Sequence, residues 1–260
     1  MINRQLILIF NDGGETKNLK GVTIDKEALI EHFTSAEGGA WDESEMKVFF
    51  NDCTKQMLEL YIRVQRITNR IDYWLIVFSG HGYATDTDTY LELSPGNDCG
   101  IKAIKQMLNS YKCLVIADSC RVLINEAVEN SAEKRERLFS STTESTEYRK
   151  ICKEMYDKAW DSVLSGSFNA GFAASLGQAA NDDDQKGGYY IEGILNAANS
   201  HVNATRVIYG TSSCPNEIIP FSDIHNAASK HVMDKSYGSQ QPTTIGSSIN
   251  KIPFVVMPNV

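Results

Sequence analysis

The sequence predicts an α/β protein built on a central, mostly parallel sheet of about six strands with helices on both faces. Three observations predict it. Short apolar runs of five or six residues recur along the chain, and segments with apolar residues at helical spacing alternate with them. The runs are apolar at successive positions rather than at every second one, as strands covered on both faces require.

The elements follow in order. Gln5–Phe10 is a β-rich run stopped by Asn11-Asp12-Gly13-Gly14, the pattern of a buried strand ending in a loop. Val22, Leu29, Ile30 and Phe33 mark a helix between Gly21 and the Gly38-Gly39 stop. Met46–Phe50 reads as the second strand, and Met57, Leu58, Tyr61, Ile62 and Val64 as a second helix reaching about Asn69. Tyr73–Phe78 is the third strand. Ile101, Ile104, Met107 and Leu108 give a helix before the fourth strand, Cys113–Ala117. Phe168–Ala173 is expected as a fifth strand, Tyr189–Asn199 and Phe221–Met233 as helices, and Ile252–Met257 as the last strand; residues 202–216 carry no assignable pattern. From Arg121 to Ser165 there is neither Gly nor Pro, and Lys134-Arg-Glu-Arg137 and Arg149-Lys-Ile-Cys-Lys153 crowd charge into a mostly polar stretch, which predicts a helical, solvated insertion.

Composition narrows the function. With 25 basic against 33 acidic residues in 260, the net charge is −8, the wrong sign for gripping phosphate backbones or anionic membranes. The longest apolar runs fall far short of the ~20 residues that span a bilayer, and Met-Ile-Asn-Arg-Gln opens no signal peptide, so a cytoplasmic location is expected. The six cysteines form no Cys-x-x-Cys and the five histidines no His-x-x-x-His, so reduced thiols and no structural metal are expected.

In an open parallel sheet the ligand crevice lies beyond the carboxyl ends of the strands. The third strand runs into Ser79-Gly80-His81-Gly82 and the fourth into Asp118-Ser119-Cys120-Arg121. A helix between them that acts as a right-handed crossover makes these strands parallel near neighbours, so His81 and Cys120 emerge on one edge. Imidazole beside thiol is a base beside a nucleophile: the thiolate attacks a carbonyl, and amides near the glycines can point at the developing oxyanion. Taken singly, a strand-end cysteine is a small buried hydrophobe and a His-Gly pair a turn; their joint placement carries the reading.

Phe78-Ser-Gly-His-Gly82 and Ala117-Asp-Ser-Cys-Arg121 resemble the histidine and cysteine motifs of the caspase-like cysteine peptidases (family C14), especially the metacaspase and paracaspase branch and its bacterial relatives. Asn11, Leu19-Lys-Gly21 and Asp25 are similar to that family's first strand, loop and helix, and Gln178–Asp182, Gly187-Gly188 and Gln241-Pro242 to its later loops. The 39 residues from His81 to Cys120 fall below the roughly 50 of caspases proper, and Asp-Ser-Cys-Arg-Val departs from Gln-Ala-Cys, which argues against caspase specificity.

The resemblance implies one caspase-like domain over 1–260, in which residues 1–120 are large-subunit-like, residues 121–165 form a charged helical linker and residues 166–260 are small-subunit-like. It implies Cys120 as nucleophile, His81 as acid/base, and the amides of Gly82 and Cys120 as oxyanion hole. Asp118 matches a position lining the primary specificity pocket, with Asp12, Ser79 and Asp182 as further pocket residues. A buried carboxylate there favours a substrate that brings a guanidinium or ammonium, so cleavage of proteins after Arg or Lys is expected. Asp118 also reads as a cap on the following turn, and Asp12 as a plain turn residue. The Asp182-Asp-Asp184 run reads as a solvated loop, with calcium binding as the alternative some metacaspases suggest; no cofactor is expected. The linker offers Lys134, Arg135, Arg137 and Arg149 to the enzyme itself, and self-processing competes with a stable charged helix that is never cut. A catalytically silent docking module and other thiol chemistry are the competing functions, and a bacterial stress, defence or cell-death role is the setting the resemblance implies.

Overall fold

The computed structural model describes residues 2–14, 18–109, 111–123, 145–209 and 216–259. In chain order the elements are β1 (Arg4–Asn11), α1 (Gly21–Thr34), β2 (Met46–Phe50), α2 (Lys55–Thr68), β3 (Tyr73–Gly80), β4 (Gly82–Ala84), β5 (Thr89–Ser94), β6 (Asn97–Gly100), α3 (Ile101–Met107), β7 (Lys112–Asp118), α4 (Thr146–Ala159), β8 (Phe168–Phe172), β9 (Asp182–Asp183), β10 (Gly187–Gly188), α5 (Tyr189–Tyr209), β11 (Glu217–Pro220), α6 (Phe221–Lys235), β12 (Thr243–Ile245) and β13 (Pro253–Met257).

The central sheet has six strands in the order β12-β8-β7-β3-β1-β2. All neighbours pair in parallel except β12, which runs antiparallel to β8. The pleat sends alternate residues to opposite faces. Leu6, Leu8 and Phe10 with Leu75, Val77, Leu114 and Ile116 pack under α1, α4, α5 and α6. Ile7 and Ile9 with Trp74, Ile76, Phe78 and Val115 pack under α2, α3 and β5. Both cores draw on the same strands, and this is why β1 and β3 read as unbroken apolar runs.

Three expectations are corrected. The run Ile252–Met257 does form a strand, β13, but it leaves the main sheet and pairs antiparallel with β11 beneath the helices. The sixth strand of the sheet is the short, half-exposed edge segment Thr243-Thr-Ile245, which is too brief and polar to announce itself. The second correction concerns 121–165. Its described stretch from Ser145 onward holds α4, capped by the Ser145 hydroxyl accepting from Tyr148 N–H (3.2 Å). Cys152, Tyr156 and Trp160 of this segment are buried in the core, so only one side of it is solvated. The third is length: α5 continues through 200–209, absorbing some of the unassigned stretch.

Between β3 and α3 the chain inserts an antiparallel meander, β4-β5-β6. Thr89, Leu91 and Leu93 alternate inward along β5, a period-two signal present in the sequence. The meander begins immediately after His81, and Glu92 N–H donates to the His81 carbonyl (3.0 Å), fastening the histidine's backbone to β5.

Candidate active site

Strands β3 and β7 are adjacent and parallel, with Ser79 opposite Asp118 in the register. His81 follows β3 by one residue and Cys120 follows β7 by two, so both leave the sheet at its carboxyl edge. The limbs that carry them touch. A Cβ built on Gly82 would lie 2.7 Å from Ser119 Oγ and 2.8 Å from the Tyr90 carbonyl oxygen, so only glycine lets the residue after the histidine meet the residue before the cysteine.

Cys120 is half-buried. Its Sγ accepts from Ala180 N–H (3.3 Å) and faces the Ala180 carbonyl oxygen (3.5 Å). Burial pushes the thiol up, Asp118 and Asp182 push it further, and the Ala180 N–H acts against them. Burial thus favours the neutral thiol at Cys120, which would need a base to become a thiolate.

The loop bearing Ala180 is stitched down on both sides. Gln178 Oε1 accepts from Ser175 N–H (3.2 Å) and Gln241 N–H (2.9 Å). Gln240 Oε1 accepts from the backbone and side-chain N–H groups of Asn181 (2.9 Å each), while its Nε2 donates to the Ala173 carbonyl (3.0 Å). Arg121 spans the same ground: it donates to Thr89 Oγ1 (3.0 Å), the Ala174 carbonyl (3.1 Å) and Thr243 Oγ1 (3.3 Å), and lies over the Phe172 ring (4.4 Å).

Beside the cysteine lies a group of carboxylates. Asp118 is buried and accepts from Ile191 N–H (3.0 Å), at the N-terminus of α5, where the helix dipole favours an anion. Asp25, on α1, is buried and accepts from Ser79 Oγ (2.7 Å) and Gly188 N–H (3.1 Å). Asp182 lies against the N-terminus of α1, where the Gly21 N–H supports its charged form. The Gly187-Gly188 turn passes between them: a Cβ on Gly187 would fall 1.9 Å from Asp25 Oδ1, and one on Gly188 2.3 Å from Asp118 Oδ2. Burial, with each group's neighbours adding to it, pushes Asp118 up to about 7 and Asp182 up to about 6, and holds Asp25 well above the ordinary carboxylate range.

The structure thus brings Ser79, Asp118 and Asp182 together at the strand ends that carry His81, Gly82 and Cys120. Asp12 leaves β1 at the same edge of the sheet, one residue past Asn11, which stands opposite Gly80; its Oδ1 accepts from Gly14 N–H (2.7 Å) and Asn51 Nδ2 (2.8 Å) in a turn after β1. Sequence reading named Asp25 only among the residues that resemble the family's first strand, loop and helix and gave it no place in the pocket. The signal was there, since Val22, Asp25, Leu29 and Phe33 share the buried stripe of α1 and an aspartate on such a stripe calls for a partner.

The acidic run diverges. Asp183 accepts from Gln185 N–H (2.9 Å) and Lys186 N–H (3.1 Å), and Asp184 pairs with Lys20 (3.1 Å). Among the described residues no group of three or more His, Cys, Asp or Glu is arranged to hold a metal ion. Of the self-cleavage candidates, Lys134, Arg135 and Arg137 lie outside the described residues. Arg149 stands on α4 and donates to the Thr34 carbonyl at the end of α1. Among the described residues no helix is long and apolar enough to cross a membrane.

The comparisons agree with this fold. No curated protein matches the chain. A solved structure, caspase-1 from Spodoptera frugiperda, superimposes with a TM-score of 0.56 over 95% of this chain and 87% of that one at 12% identity, a likeness of fold. The family model for the caspase domain of peptidase family C14 matches residues 4–252. A match over nearly the whole length, on a caspase-like α/β sheet, means that the chain belongs to the caspase-domain family of cysteine-type peptidases.

Proposed function

We propose that the protein is a cysteine endopeptidase that cuts protein substrates after Arg or Lys, with Cys120 as nucleophile and His81 as general base and acid. The observation that carries the specificity is the pair of buried carboxylates Asp25 and Asp118, with the half-buried Asp182 beside them, at the strand ends that carry Cys120. Among the described residues the leading influences on these groups are burial, backbone N–H donors, Ser79 and neighbouring carboxylates, which for Asp182 are Asp183 and Asp184. Buried carboxylates without a compensating cation are costly, and a guanidinium or ammonium supplied by the substrate offsets that cost.

The chemistry follows from the two strand ends. His81 takes the Cys120 proton, and the thiolate attacks the carbonyl carbon of the bond after the basic residue. The oxyanion is met by the backbone N–H groups of Gly82 and Cys120. As the tetrahedral intermediate collapses, the C–N bond breaks and His81 returns the proton to the departing amine. Water, deprotonated by His81, then attacks the thioester; the acid product leaves and the thiol is restored.

Hydrolysis of a fluorogenic peptide with Arg before the reporter, against one with Asp there, tests the reading. Cleavage of the Arg peptide that iodoacetamide abolishes is expected, and cleavage of the Asp peptide alone would overturn it.

A further inference from the structure

We propose that the outer face of α2 is a docking ridge for an acidic amphipathic helix of a partner protein. The helix is anchored by Leu58 and Ile62, which are buried under the sheet, and by Tyr61, edge-on to Phe49. That anchoring forces Met57, Leu60, Val64 and Ile67 outward, where they are 44%, 60%, 43% and 74% exposed. Their 3-4-3 spacing is the a/d seam of a coiled coil, covering about 15 Å of helix. A solvated face of a surface helix is ordinarily polar, and a contiguous aliphatic seam there marks an interaction site.

Charge identifies the occupant. In a chain of net charge −8, α2 and α3 carry Lys55, Arg63, Arg66, Lys102 and Lys105 against Glu59 alone. The α2 cations fall on one flank of the ridge, along a groove of about 300 Å³ between α2 and α3 lined by Lys55, Arg63 and Arg66 with Glu59, which pairs with Arg63 (3.0 Å) and leaves the flank net positive. The other flank is neutral, with Tyr61, Gln65 and Thr68. A helix that lays apolar a/d residues on the seam and glutamates over the groove satisfies both features.

A second copy of this chain fits worse. Antiparallel pairing of two α2 ridges sets the basic flank against itself, and parallel pairing leaves the cations against neutral residues. An anionic bilayer calls for a broad apolar face with aromatic residues rather than a narrow aliphatic seam.

The test uses the full chain and a fluorescein-labelled helix of about four heptads, with Leu at a and d and Glu at e and g, beside the same peptide with Lys at e and g. Anisotropy titration should show the Glu probe binding at least about tenfold tighter than the Lys probe, and weakening with salt. Leu60→Glu with Ile67→Glu should abolish binding of the Glu probe, while Lys55→Glu with Arg63→Glu should reverse the preference. All four positions are exposed, and the wild-type comparison of the two probes decides even where a variant misfolds. Equal binding of the probes, no binding of the Glu probe, a dimer in sedimentation that Leu60→Glu dissolves, or retention on phosphatidylserine vesicles would each overturn the proposal.

Discussion

Ser79 and Asp118 stand opposite each other in the register of two adjacent parallel strands, and each lies two residues before the side chain assigned to the chemistry. The same pair opens the pocket, because Ser79 donates to Asp25 and Asp118 lies within the electrostatic reach of both Asp25 and Asp182. In the proposed mechanism, catalysis and specificity both rest on this one pair of strand ends.

Replacing Cys120 by Ala should lower hydrolysis of an Arg peptide by at least about 10⁴-fold, and His81→Ala by about 10²–10⁴-fold. Cys120 is half-buried and the change removes one sulfur, so the melting temperature should hardly move. Wild-type turnover by either variant removes the assignment.

Asp25→Asn should cost as much as Asp118→Asn. Losing a charge-assisted contact to a buried cation is worth roughly 2–5 kcal/mol, or about 30-fold to several-thousand-fold in kcat/KM for Arg peptides. Asp12→Asn should leave kcat/KM nearly unchanged, since that carboxylate holds a turn. A large effect at Asp12 with none at Asp25 would redraw the pocket.

How much of this was legible beforehand follows from what each residue contributes. The central strands announced themselves because both of their faces are buried, and His81 and Cys120 because their motifs sit at strand ends. β12 and the true partner of β13 were not legible, since an apolar run states that a strand is buried and not which strand it joins. Asp25 was hidden because its partners, Ser79 and Gly188, come from 54 and 163 residues away. Asp12 carried two readings, a pocket residue implied by the resemblance and a turn residue before two glycines, and the contacts of its carboxylate are those of the turn.

The raised carboxyls set two pH dependences of opposite sign. A cationic side chain binds best to ionised groups, so kcat/KM for Arg peptides should climb as pH rises through about 6 to 7, the range to which Asp182 and Asp118 are pushed. Stability should run the other way. The native state keeps protons that the unfolded chain releases in the ordinary carboxylate range, so stability is highest below that range and falls as pH rises towards 7. Thermal melts from pH 5 to 8 should show wild type losing more than Asp118→Asn, and an equal loss would refute burial as the cause.

Arg121→Ala should cost about 2–3 kcal/mol of stability by leaving the Ala174 carbonyl and the Thr89 and Thr243 hydroxyls without their shared donor. The same loss frees the loop that carries Ala180, so kcat should fall more than KM changes. Arg121→Lys keeps the charge but not the three-way reach and should recover only a fraction. Denaturant titration beside steady-state kinetics reads both.

Self-processing, where it occurs, should spare Arg149. That residue lies on α4, with Tyr148 donating to Glu37 (2.9 Å) and Cys152 and Tyr156 buried below it. A peptidase needs an extended substrate strand, and unwinding α4 would expose those core side chains. Cuts should therefore fall after Lys134, Arg135 or Arg137, never after Arg149. The two pieces should stay together on gel filtration, because the parallel pairing of β7 with β8 joins residues on either side of the cut. Mass spectrometry of wild type beside Cys120→Ala checks this: fragments ending at 134–137 only in the wild type support it, cleavage after Arg149 contradicts the docking of α4, and an intact, active wild-type chain removes self-processing from the mechanism.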